Sequence, residues 1–201
     1  CCAVNLLLTS CVRQKYVVMD MVHHNPGEAM TESKFLDPSF LKKNEYGAKV
    51  FFLFEAAQFG IDWKSFDPSL FPDTTEAGRW VAEKAEIIHK KYDAAKKEDL
   101  QVYCMLDMLV LPSLLVEKHR TELTNEQGKL DISKPYTQLC IRELMKEMFE
   151  TFPQLDGLVI RTGETYLHDA PYYVGNHPVQ NGMYDNITLI NLLREEVCER
   201  R

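Results

Sequence analysis

Four apolar runs, each breaking off into polar residues and each followed by a helical pattern, constrain this chain more than any other feature. They are KYVVMDMVHHNPGE (15–28), AKVFFLFEAAQFG (48–60), LQVYCMLDMLVLP (100–112) and LDGLVIRTGETY (155–166). Continuous β-branched and aromatic runs of this kind suit strands covered on both faces, as in a parallel sheet. Helical signals fill the gaps between them. Residues 37–47 open with Asp37 as a cap and Pro38 in the first position, and close on Gly47. Residues 74–100 carry a capping threonine, an early Glu76 and an apolar face through Trp80, Val81, Ala85, Ile88 and Tyr92. The same spacing recurs at Leu139, Leu144, Met148 and Phe149 (134–153) and at Ile187, Ile190, Leu193 and Val197 (185–201).

Strand and helix alternating in this way predict βα units around a parallel sheet. The connections after the strands are long, as in GIDWKSFDPSLFPD (60–73) and LHDAPYYVGNHPVQNGMY (167–184), whereas those leading back from helix to strand are short. A (β/α)8 TIM barrel has that asymmetry, because its long βα loops build the active site. The expectation is therefore an α/β chain of about four βα units, the first half of such a barrel. A doubly wound sheet is the rival fold, although no glycine-rich phosphate loop follows the first strand.

The 201 residues are 45% hydrophobic and 26% charged, with a formal net charge of −7. An acidic chain of this kind, with a pI near 5.4, lacks the concentrated basic face that nucleic acid requires. No stretch offers the roughly 20 apolar residues of a membrane span. The start, CCAVNLLLTSCVRQ, reads differently. Leu8, Thr9 and Ser10 before Cys11 form a lipobox-like pattern, in which small residues fit a signal peptidase and the thiol accepts a lipid. On this reading residues 1–10 are a residual lipoprotein signal and Cys11 is the lipidation site. Residues 11–201 are then the barrel segment, held at a bacterial cell envelope with membrane contact only through the anchor. A short hydrophobic strand is the alternative for the same residues. The six cysteines contain no CxxC, so neither a zinc site nor a disulfide scaffold is indicated, and Cys104, Cys140 and Cys198 read as buried free thiols.

Side chains alternate along a strand, so every second residue shares a face. That pattern groups Gly157, Val159 and Arg161; Tyr103, Met105 and Asp107; and Phe51, Leu53 and Glu55. Three strands thus carry an ionisable residue late in an apolar run, and the first ends at His23 and His24. Polar groups converging on one end of a sheet indicate a site, with an internal salt-bridge lattice as the structural alternative. Glu164, just past the fourth strand, is the candidate catalytic carboxylate, since burial in a loop-walled pocket raises a carboxyl pKa toward that of a general acid. Arg161, Glu55, Asp107 and the histidines 23 and 24 are candidates for binding substrate. Tyr166, His168, Tyr173, Asn176 and His177 join them, because aromatic faces stack on the C–H face of a sugar while amides and imidazoles bond its hydroxyls. A shared metal is not expected: His23 and His24 are adjacent and point to opposite faces of a strand, and there is no HxH or HExxH. No cofactor is indicated either.

On these residues the chain resembles glycoside-hydrolase-type barrels of bacterial lipoproteins. FPQLDGLVIRTGETY (152–166) is similar to the fourth-strand region of barrels in the α-glucuronidase and hexosaminidase neighbourhood. The resemblance implies hydrolysis of a poly- or oligosaccharide with Glu164 as acid/base. One departure is Gly163, where many such families carry Asn or Asp before the glutamate. The other functional expectations are a non-catalytic carbohydrate-binding lipoprotein and a metal-dependent hydrolase.

Overall fold

The computed structural model describes residues 18–20, 33–52, 55–107, 109–161, 165, 167–176 and 182–200. Strands β1 (Met19–Asp20), β2 (Ala48–Phe51), β3 (Gln101–Asp107) and β5 (Gly157–Arg161) form one parallel sheet in the order β1-β2-β3-β5. Strands β4 (Val110–Pro112) and β6 (Tyr173–Gly175) make a separate antiparallel pair. The helices are α1 (Pro38–Lys43), α2 (Glu76–Lys97), α3 (Ser113–Lys118), α4 (Arg120–Leu123), α5 (Pro135–Thr151) and α6 (Met183–Arg200).

This mixed α/β arrangement overturns the expectation of a TIM barrel with about four βα units. Closure requires every strand to have a neighbour on both sides. Among the described residues the parallel sheet is open, with β1 and β5 at its edges. Nor does the third run behave as one strand. It splits, so that 101–107 stays in the parallel sheet while 110–112 leaves to pair antiparallel with 173–175. Both pieces are largely buried, so hydrophobic periodicity cannot reveal the break between them.

The register assigns the faces of the parallel sheet. Phe51 lies beside Cys104 and Leu158, whereas Tyr103, Met105 and Asp107 lie beside Gly157, Val159 and Arg161. The first face is the core. Val102, Cys104 and Leu106 are fully buried there, and α2 packs on it with Tyr92 against Phe51 at 4.7 Å between ring centroids. Phe152, just past α5, closes the layer against His89 and Tyr92. The second face is half-buried along Tyr103, Met105 and Val159. The Tyr103 ring lies over Gly157, where a Cβ would come within 2.7 Å of it.

Local chemistry sets the helix starts. Asp37 accepts from the Ser39 N–H at 2.9 Å with Pro38 behind it, and Thr75 accepts from the Gly78 N–H at 3.0 Å. Helix phases follow tertiary contacts more than apolar spacing. On α6 the inner face is Leu189, Leu192 and Leu193 together with the carboxylates of Asp185 and Glu196, while Ile187 and Ile190 are 48% and 46% exposed. Arg142 of α5, bonded to Glu196 at 2.5 Å, fixes that orientation. Leu139 of α5 likewise faces outward. Of the thiols, Cys104 and Cys140 are buried and pushed up to about 12 by that burial, but Cys198 is exposed.

Gly78 provides a test of the junction between the 60–73 loop and α2. A Cβ there would sit 2.1 Å from the Pro72 carbonyl oxygen, and backbone cannot rotate away as a side chain can. Gly78→Ala should therefore lower unfolding stability by about 1–3 kcal/mol through overpacking, despite the roughly 1 kcal/mol that alanine gains in a helix. Urea denaturation reads the sign, and a more stable variant would show that the loop yields freely.

Candidate functional site

Two concave or charged features lie beyond the carboxyl ends of the strands, where open α/β sheets bind ligands. The first is the pair at the ends of β3 and β5. Asp107 and Arg161 are register partners, so their side chains emerge side by side. The Arg161 Nε donates to Asp107 Oδ1 at 2.5 Å and its Nη2 donates to Oδ2 at 2.6 Å. Two parallel charge-assisted bonds fix the guanidinium plane as well as its position. The Asp107 side chain is 7% exposed and that of Arg161 27%, so the pair is rooted in the sheet and open at its outer edge. Their opposite charges cancel within the pair.

The other proposed site residues disperse. Glu55 follows β2 on the opposite face, in a hollow of about 130 Å³ with Lys49 and Lys91, and it is ion-paired to Lys91. Its separation from Asp107 follows from Phe51, whose burial against Tyr92 turns the end of β2 toward α2. Tyr173 is a core residue, 5% exposed, between the rings of Phe59 and Phe71, and its hydroxyl donates to the Gln58 carbonyl at 3.3 Å. Burial pushes its pKa far up, which keeps the phenol neutral. Asn176 has a structural assignment. Its Oδ1 accepts from the Leu130 N–H at 2.7 Å and its Nδ2 donates to the Leu130 carbonyl at 3.2 Å, so the side chain imitates a strand neighbour. His168 is exposed. Glu164, His23, His24, Tyr166, His177 and Cys11 lie outside the described residues.

The second feature is a cleft of about 310 Å³ that the sequence did not disclose as a site. Its floor is Leu70 and Phe71, and prolines 72, 112 and 171 stand along its walls. Ser69, Thr75, Ser113, Glu117 and Tyr172 supply the polar groups. Pro112 ends β4 and Tyr172 precedes β6, so the antiparallel pair carries the cleft. The Ser113 N–H donates to the Tyr172 carbonyl at 2.8 Å and locks the two walls together. The available signal was three prolines, two in loops (FPD and APY) and one at a strand end (LPS), which mark rigid rather than mobile connections.

Asp67 holds the rim of this cleft. Lys118 donates to it at 2.8 Å and also bonds Ser69, whose hydroxyl donates to Asp67 at 2.6 Å. These partners, Lys118 first, lower the Asp67 carboxyl to about 2, against a smaller opposing effect of desolvation. A depressed carboxyl stabilises the fold above its ordinary value near pH 4, and that contribution is lost as pH falls through about 2. Because the group is solvent-screened, the effect should be at most about 1 kcal/mol. Unfolding of Lys118→Met compared with the parent should lose that difference between pH 4 and pH 2, and an unchanged difference at pH 2 would remove Asp67 as its source. At the strand ends, Asp107→Asn keeps the shape but loses the charge-assisted fork and should destabilise by about 1–3 kcal/mol. A urea midpoint implying less than about 0.5 kcal/mol would class the pair with exposed surface ion pairs.

Compared with known proteins, the chain matches no family model, no curated protein and no solved structure.

Proposed function

We propose that this chain acts on carbohydrate as a glycoside hydrolase, with Glu164 as general acid. One observation carries the reading: the bidentate Asp107–Arg161 pair at the carboxyl ends of adjacent parallel strands, with Arg161 three positions before Glu164 in the chain. Such a fixed, charge-neutral fork at a strand end serves to position a substrate hydroxyl or a neighbouring carboxylate. General acid catalysis at a glycosidic oxygen then needs a carboxyl held protonated near the operating pH, beside a second carboxylate or an activated water. The substrate partner is a poly- or oligosaccharide, neutral or uronic. The lipobox-like Leu8–Cys11 segment supports attachment to a bacterial envelope through Cys11, where extracellular glycans are met.

The test is hydrolysis of a panel of neutral and uronic aryl glycosides by the full chain beside Glu164→Gln. Loss of about two to four orders of magnitude in kcat, with KM kept, is the expected outcome. Equal rates in both proteins would assign Glu164 to structure, and binding without cleavage by the parent would replace the hydrolase with a carbohydrate-binding protein.

A further inference from the structure

We propose that the cleft between the 69–75 loop, the start of α3 and the 171–172 turn is a binding site for an uncharged sugar ring, separate from the strand-end pair. Its volume of about 310 Å³ falls at the lower end of the range for small-molecule pockets, about 300–1,000 Å³. Its surface is mostly apolar, from Phe71, Leu114, Tyr172 and the three prolines, which suits the C–H face of a pyranose.

The polar groups specify what the rest of the ligand must be. The Thr75 hydroxyl already donates to the Pro72 carbonyl, and the Ser69 hydroxyl already donates to Asp67. Glu117 is a carboxylate, which accepts only. With the Ser113 and Tyr172 hydroxyls as its donors, the rim offers lone pairs and a few protons, and it complements a ligand whose O–H groups both donate and accept. Among the described residues no lysine or arginine lines the cleft, and the two cations nearby are committed elsewhere, Lys118 to Asp67 and Ser69, and Arg79 to the Thr74 carbonyl. A phosphate or a uronate therefore gains little counter-charge there and meets Glu117. The walls are preformed. The Ser113–Tyr172 backbone bond, the Thr75 cap on Gly78 and the close seat of Gly78 against Pro72 hold them without a ligand.

Asp107 and Pro112 are five positions apart, so the two features are at most about 18 Å apart along that chain segment. A short oligosaccharide spans such a distance. The cleft would thus hold one part of a glycan while another part lies at the strand ends. The inference takes its ligand class from the cleft's own lining and concerns binding alone, so it does not depend on Glu164 being catalytic.

Titration of the full chain with cellotriose, xylotriose and maltotriose, followed by calorimetry and by NMR line broadening of the sugar, tests it. At least one trisaccharide should bind, and Leu114→Trp, which fills the mouth and removes no hydrogen bond, should weaken that binding at least tenfold. Tyr172→Ala should do the same, and thermal unfolding of both variants identifies any loss due to misfolding. Binding of the sugars is read without turnover, so a failed hydrolase assay leaves this result standing. The proposal is overturned if none of the three sugars binds, or if binding survives Leu114→Trp in a folded protein. It also fails if methyl glucuronoside or benzylamine occupies the cleft more tightly than the neutral sugars.

Discussion

The central strand β3 is the constraint on which the rest of the structure depends. It is hydrogen-bonded on both sides, to β2 and to β5, and its alternate residues Val102, Cys104 and Leu106 have no exposure to solvent. A strand held on two edges and sealed on one face cannot slip by one residue without turning that whole row outward. Its register therefore fixes which residues of β2 and β5 share its faces. It also fixes where Asp107 emerges, and through Asp107 the position of Arg161. Asp156 reinforces the arrangement from the other end, with its carboxylate accepting from the Val102 N–H at 2.7 Å and paired to Lys96 of α2.

Some of this was legible in the residues. The caps at Asp37 and Thr75 and the shared face of Asp107 and Arg161 follow from rules that act over a few residues. What could not be read depended on partners distant in sequence. The apolar run 100–112 contains no proline or glycine before Pro112, so nothing local marks the change from parallel to antiparallel pairing. Glu55 shares strand parity with Phe51, but Phe51 faces Tyr92, 41 positions further on, and the parity argument then places the carboxylate on the wrong side of the sheet. On α6 two acidic residues, Asp185 and Glu196, turn inward while two isoleucines turn outward, because Arg142 outweighs the apolar count.

The candidate ligands of the sequence were chosen for chemistry that suits sugars, and the fold gives several of them other work. Tyr173 fills a ring cluster, and Asn176 binds backbone. A polar or aromatic residue in a long loop has two possible employers, the ligand and the loop itself, and a loop packed against a core usually needs such residues to satisfy its own backbone. The cleft shows the converse. Proline and serine were not read as ligand-binding residues in the chain, yet together with Tyr172 they shape the cleft.

The grip of Asn176 on Leu130 gives this protein a specific chemical vulnerability. The side chain must present one acceptor and one donor, in fixed order, to the N–H and carbonyl of a single residue. Hydrolysis of that amide to a carboxylate, as happens when asparagine ages, would set two oxygens face to face where a donor and acceptor now meet at 3.2 Å. The turn that contains Leu130 and the end of β6 would lose their common fastening.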